Sequence, residues 1–241
     1  MIALITPTGG RSKQINLCAE FMRRQDYTGK VLWILIDDVE PKTIDCICIE
    51  DGFKKNWELV KVFPLVKWRQ GQNTQAKNLL TGIQIVEKYD DIEAVFIIED
   101  DDYYCPQYLR KMMEKLEGYD IVGETNTIYY HIPRQKYRRN RNERYSSLFQ
   151  TAFTMNTLPL FKKVCKQYNK FIDITLYRVA ERILKIKLFN SEYLAVGIKG
   201  LPGRSGIGMG HNGYANMNSD PGLEVLKKLL GDDYKYYINE K

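Results

Sequence analysis

Ala94-Val95-Phe96-Ile97-Ile98 runs without a polar residue into Glu99-Asp100-Asp101-Asp102, and this junction limits the folds open to the chain more than any other segment. A stretch that is apolar on both alternate faces must be covered on both, which describes a strand inside a largely parallel sheet flanked by helices. Open sheets of that kind place their ligands at the carboxyl ends of the strands, where the acids fall. Four adjacent carboxylates repel one another, so a cation is the natural reason to collect them. Oxygen-only donors suit a hard ion, Mn²⁺ or Mg²⁺. The ordinary alternative is a solvated acidic loop; closure of a core strand by the acids favours the metal.

The surrounding pattern agrees with such a sheet. Ile2–Thr6 and Val31–Ile36 read as strands, and the segment from Arg11 to Arg24, apolar at Ile15, Leu17, Cys18, Phe21 and Met22, reads as the helix between them. Asp45–Ile49 and Val60–Val66 are short strand candidates, Asn73–Lys88 is a helix, and Pro106–Leu116 is a helix directly after the acids. Beyond Asp120 the pattern becomes mixed α+β. Ile121-Val122-Gly123 and Thr127–Ile132 suggest a strand pair, followed by an apolar stretch Leu148–Met155, helices near Pro159–Tyr168 and from Asp173 to Lys185, and a strand Tyr193–Ile198. A glycine-rich loop from Gly197 to Gly213 and a short helix Pro221–Leu230 close the chain. No linker or repeat interrupts these 241 residues, and 44% hydrophobic content supplies a sizeable core, so one domain is expected over 1–241. No apolar run approaches the roughly 20 residues of a membrane span, the N-terminus reads as a strand rather than a leader, and five scattered cysteines fit a reducing compartment. The expectation is a cytoplasmic protein.

Three strands of the first half end in chemistry: Thr6-Pro7-Thr8-Gly9-Gly10-Arg11, Asp37-Asp38 and Glu99-Asp100-Asp101-Asp102. Gly71-Gln72-Asn73-Thr74-Gln75-Ala76-Lys77-Asn78 then precedes the acidic strand at a fixed distance, and Pro106 follows it. This arrangement resembles the GT-A glycosyltransferases, in particular the family 2 type, over roughly residues 1–120. The resemblance implies an α/β, GT-A (Rossmann-like) nucleotide-diphospho-sugar transferase fold, with a nucleotide-sugar-binding half at 1–120 and an acceptor half with a C-terminal lid loop at 121–241. It also implies a nucleotide-diphosphate sugar donor, a uridine one being commonest in that family. Thr6, Pro7, Thr8 and Arg11 of the first loop, Asp37 and Asp38, and Asp100 and Lys77 would lie around that donor. Asp101 is the first choice of metal ligand and Asp102 the second; Glu99 departs from the family's Asp-x-Asp motif. A divalent ion there would stabilise the charge that builds on the leaving diphosphate.

In the second half, Phe171-Ile172-Asp173 resembles the family's Glu-Asp segment, which would make Asp173 the base that deprotonates the acceptor. A helix-capping role for the same residue is compatible. The Gly200–Gly213 loop would close over the diphosphate, with Lys199 and Arg204 neutralising charge and His211 reaching the metal; a solvated surface loop is the alternative. Residues 134–144 hold six basic residues against one acid, +5 of the chain's net +6. Arg134, Lys136, Arg138, Arg139, Arg141 and Arg144 are therefore expected to bind the acceptor, which points to a polyanion such as DNA carrying a hydroxylated base. A solvated basic loop is the competing reading. Two other classes stay open. A sugar-1-phosphate nucleotidyltransferase would use Thr8-Gly9-Gly10-Arg11-Ser12-Lys13 on a nucleoside triphosphate, and a non-catalytic nucleic-acid-binding module would use the basic run alone.

Overall fold

The computed structural model describes all residues except 40, 41, 46, 48–51, 71, 169, 203–215 and 239–241. Its centre is a seven-stranded sheet. Strands β1 (Ile2–Thr8), β2 (Val31–Asp37), β3 (Trp57–Val62) and β4 (Ala94–Ile97) form a parallel set in the order β3-β2-β1-β4. The sheet then continues through β9 (Thr151–Thr154), β6 (Ile121–Thr125) and β10 (Ile186–Asn190). β9 runs antiparallel to both of its neighbours, and β6 and β10 are parallel to each other.

Alternation along these strands divides the core into two apolar layers, as a pleated strand requires. Ile2, Leu4, Val31, Trp33, Leu35, Ala94 and Phe96 face one layer, which α1 (Ser12–Arg23) and α4 (Tyr108–Leu116) cover. Ala3, Ile5, Leu32, Ile34, Ile36, Val95 and Ile97 face the other, covered by α3 (Gln75–Val86), α5 (Leu158–Gln167) and α6 (Ile172–Ala180). Helix α1 buries Ile15, Cys18, Ala19 and Met22, the i, i+3, i+4, i+7 stripe that drives an amphipathic helix onto a sheet. Helix α3 sits close over β1 because Gly82 has no Cβ; one built there would come within 2.5 Å of the Ile5 side chain.

A second sheet, in the order β12-β8-β7-β11-β5, lies beyond the first. It comprises β5 (Tyr103–Tyr104), β7 (Ile128–His131), β8 (Lys136–Arg139), β11 (Ala195–Lys199) and β12 (Asn218–Ser219). Helix α7 (Glu224–Leu230) follows it and buries Leu226, Leu229 and Leu230. Among the described residues no helix is long and apolar enough to cross a membrane.

Several expected elements change here. The expected strand Asp45–Ile49 is instead preceded by a helical turn, α2 (Lys42–Asp45), with Ile44 and Ile47 buried; Cys46, Cys48 and Ile49 lie outside the described residues. β3 starts three residues earlier than expected and stops at Val62. Pro64 lacks the donor that would extend it, and Leu65 and Val66 are 99% and 61% exposed. Ile121–Gly123 and Thr127–Ile132 are strands but not partners: β6 joins the first sheet and β7 the second. Asn126, in the left-handed conformation at φ 53°, turns the chain between them. The expected helix from Asp173 to Lys185 stops at Ala180, and Ile186–Asn190 becomes an edge strand. The basic run is partly a strand, β8, in a hairpin with β7.

Candidate active site

The carboxyl ends of β1, β2 and β4 meet, and the register sets Thr8 of β1 beside Asp37 of β2. Asp37 is fully buried. Its Oδ1 accepts the Val39 N–H at 2.7 Å and its Oδ2 the Gly10 N–H at 3.3 Å, so it shapes both the end of β2 and the turn after β1. Asp38 faces the other way and receives the Thr74 hydroxyl and, at 3.0 Å, the Asn78 amide, holding the start of α3. Thr6 is buried under the loop and takes the Trp33 indole N–H at 2.9 Å. Pro7, the residue before the last of β1, is buried beside Ile36 of β2.

The four acids divide their work. Asp100 accepts from Thr8 Oγ1 at 2.5 Å and from two guanidinium nitrogens of Arg11, one of them Nε at 3.1 Å, which joins the first loop to the acidic one. Arg11 also lies 3.3 Å from Asp101 Oδ2. Asp102 Oδ1 accepts the Ile198 N–H at 2.8 Å and the Lys199 ammonium at 3.1 Å, so the acidic loop is tied to β11 of the second sheet. The Tyr104 hydroxyl, 2.7 Å from the Glu99 N–H and 3.3 Å from its carbonyl, fixes the start of the turn. Gln75 at the head of α3 donates to Glu99 Oε1 at 2.9 Å.

One carboxylate oxygen each from Glu99, Asp101 and Asp102 comes within 4.8 Å of the others. Asp102 Oδ2 is buried and has no hydrogen-bond partner among the described residues, although the other oxygen of the same carboxylate has two. A buried bare carboxylate oxygen costs free energy unless something positive meets it. An oxygen-only trio with one such atom fits a hard divalent ion. Burial pushes Glu99 up to about 7, with the charges of Asp101 and Asp173 adding to the rise and Lys199 opposing it. Burial likewise raises Asp100 to about 6 against the pull of Arg11, and holds Asp102 well above the usual carboxylate range against the pull of Lys199. For Lys199 burial alone would lower the ammonium; Asp102, Asp101 and Glu99 more than offset it.

Asp173 lies in the first turn of α6, half-buried. Burial raises its carboxyl, and the backbone N–H groups of Ile174 and Asp173 itself partly counter that rise. The residue before α6, Phe171, adopts the left-handed conformation at φ 54° while its ring is 68% exposed. Strain kept at a residue that adds so little to the core is a mark of functional segments.

Thr8, Arg11, Glu99, Asp100, Asp101, Asp102 and Lys199 thus gather at one place. Lys77 does not join them: it is exposed and donates to the Val66 carbonyl at 3.4 Å, while Gln75, half a turn earlier, reaches the acids. Arg204 and His211 lie outside the described residues. In the basic run, β7–β8 pairing sets Lys136 opposite His131 and Arg138 opposite Tyr129, and β11–β7 pairing sets Lys199 beside His131. Lys136 and Arg138 therefore share the sheet face that carries Lys199. Arg139 is on the opposite face and donates to the Tyr193 hydroxyl at 3.0 Å. Arg134, Arg141 and Arg144 are exposed.

Glu124 escaped sequence reasoning. Fully buried at the end of β6, it accepts from the N–H groups of Glu192, Leu194 and Ala195 and from Ser191 and Gln150. Its signal was an acid directly after the run Ile121-Val122-Gly123 and still within the strand.

No family model matches the chain, and no curated protein does. Among solved structures, Staphylococcus aureus TarS 1–349 in complex with UDP aligns at TM-score 0.60 and 11% identity, over 82% of this chain and 60% of that one. The same protein in complex with UDP-GlcNAc gives 0.61 and 12%, over 84% and 59%. A further TarS structure gives 0.60 and 12%, over 82% of this chain but 36% of its own. This chain spans about three fifths of the length of TarS 1–349. At such identity the likeness is one of fold, and the fold is the α/β, GT-A nucleotide-diphospho-sugar transferase fold that the resemblance implied.

Proposed function

We propose that the protein is a metal-dependent glycosyltransferase that moves a sugar from a nucleotide-diphosphate sugar to an acceptor hydroxyl. The observation that carries this reading is the bare, buried Oδ2 of Asp102 within a trio of carboxylates at the strand ends of a GT-A sheet. Glu99, Asp101 and Asp102 would hold Mn²⁺ or Mg²⁺, and when bound the ion supplies Lewis-acid stabilisation of the departing diphosphate. Asp37 and Asp38 shape the nucleoside end with Thr6, Pro7 and Thr8, and the Arg11–Asp100 pair braces the loop beside the phosphates. Asp173, its carboxyl raised by burial, takes the acceptor proton as the hydroxyl attacks the anomeric carbon. The fold likeness to TarS, whose structures contain UDP and UDP-GlcNAc, supports a UDP-sugar donor.

The acceptor we favour is a polyanion such as hydroxymethylated DNA, because Lys136 and Arg138 lie on the sheet face that carries Lys199, with Arg134, Arg141 and Arg144 exposed nearby in sequence. The nucleotidyltransferase alternative is less well supported: Arg11, the basic residue it would place on a triphosphate, is bound by Asp100 and Asp101. The test is release of UDP from UDP-sugars with Mn²⁺, with and without hydroxymethylated DNA. Metal-dependent release that DNA accelerates supports the proposal. Pyrophosphate release from a nucleoside triphosphate and a sugar phosphate, with no UDP formed from any UDP-sugar, would replace it with the nucleotidyltransferase.

A further inference from the structure

We infer that Lys199 is the fixed counter-charge of the acidic cage, opposing the metal and favouring the diphosphate. This rests on the metal reading above. With all four acids ionised, Glu99, Asp100, Asp101 and Asp102 carry −4, and Arg11 and Lys199 return +2, leaving −2. One divalent ion neutralises that remainder. A cage of −4 or −3 would hold the ion more tightly but would present net negative charge to an incoming diphosphate.

The position of Lys199 suits this role rather than direct contact with the donor. It is only 4% exposed, its ammonium is 3.1 Å from Asp102 Oδ1 and 5.4 Å from the centre of the Tyr129 ring, and its own β11 backbone continues the contact through the Ile198 N–H. These two donors occupy Oδ1 and leave Oδ2 bare. Lys199 thereby orients the Asp102 carboxylate and lowers its attraction for a cation at the same time. It is a positioning residue, acting on the donor through charge.

The distinguishing consequence is that two affinities move in opposite directions. In Lys199→Met, Mn²⁺ binding measured by calorimetry should tighten about tenfold, whereas UDP binding at saturating Mn²⁺ should weaken about tenfold. Lys199→Arg, which keeps the charge, should leave both within about threefold of wild type. If both affinities fall together in a folded Lys199→Met protein, or if Mn²⁺ affinity does not change, the inference is wrong. Removing one member of a buried ion pair can prevent folding, so the double variant Lys199→Met/Asp102→Asn provides a second arm. It keeps the cage at −2 but loses the charged Oδ2, and it should bind Mn²⁺ at least about tenfold more weakly. Wild-type Mn²⁺ affinity in that variant would show that Asp102 Oδ2 is not a ligand, and with it would fall the claim that Lys199 acts on the metal by holding Asp102. Absence of both Mn²⁺ and UDP binding in the wild-type protein would refute the transferase reading itself, an outcome distinct from either of these.

Discussion

Glu124→Gln tests how the two sheets are held in the relation that the site requires. The carboxylate is wholly buried, and each oxygen is committed: Oε1 accepts from Ser191 Oγ at 3.1 Å and from the N–H groups of Glu192 at 2.6 Å and Leu194 at 3.2 Å. Oε2 accepts from Gln150 Nε2 at 2.9 Å and from the Ala195 N–H at 3.3 Å. Replacing either oxygen by an amide NH₂ sets a donor against at least two donors. Hydrogen bonds to a charged group contribute about 1.5–3 kcal/mol each, so the gross loss is roughly 3–6 kcal/mol. Burial of the charge offsets part of this, since it raises the Glu124 carboxyl above its ordinary range. A net loss of about 2–4 kcal/mol follows, a large fraction of the 5–15 kcal/mol typical of a folded domain. Urea denaturation followed by circular dichroism should show the midpoint falling by about 1 M. Because residues 191–195 lead into β11, which carries Ile198 and Lys199 to Asp102, Mn²⁺ affinity should fall as well. A midpoint within about 0.2 M of wild type would refute the view that Glu124 staples this segment.

Asp101→Ala should abolish UDP release while leaving the melting temperature within a few degrees or raising it, since the change removes a carboxylate from a repelling cluster; a variant with wild-type turnover would sink the ligand assignment. Stability should depend on pH in a definite sense. Glu99 at about 7 and Asp100 at about 6 hold protons in the folded state that the unfolded chain has already released, so metal-free protein should lose stability as pH rises from about 5 to 7.5. Saturating Mn²⁺ should flatten that decline, and a metal-free melting temperature that climbs over the same range contradicts the buried-cluster picture. Gly82→Ala would push a methyl group to 2.5 Å from Ile5 and should cost about 1–3 kcal/mol by overpacking α3 on β1, read in the same urea assay. A neutral result would mean that α3 can shift without disturbing β1.

Much of the first half was legible because its strands are buried on both faces and its helices on one. Ile2–Thr8, Val31–Asp37 and Ala94–Ile97 alternate between two core layers, so uninterrupted apolar runs marked them. The acids announced themselves by following such a run. What the sequence hid was long-range. Thr127–Ile132 has the composition of a partner for Ile121–Gly123, but Asn126 turns it into another sheet, and nothing local tells which sheet a strand will join. Ile186–Asn190 drew no assignment, because a five-residue strand at the sheet edge, with Lys187 between Ile186 and Leu188, carries too short an alternation to stand out. Site partners followed the same division. The spacing of residues 71–78 marked the head of α3, yet only the helix phase shows that Gln75 and Asn78 turn inward while Lys77 turns out. Lys199 was expected over a diphosphate from its place before a glycine-rich loop. Its burial against Asp102 depends on β11 lying beside β5, a contact between segments about 90 residues apart.

The most direct test of the account is a thermal-shift titration of the purified protein with a panel of nucleotide-diphosphate sugars, each in the presence of Mn²⁺ and of a chelator. The account predicts a rise of several degrees with a UDP-sugar and Mn²⁺ together, a far smaller one with the chelator, and none for Asp101→Ala. Equal stabilisation with and without the metal, or stabilisation by no nucleotide-diphosphate sugar at all, would contradict it.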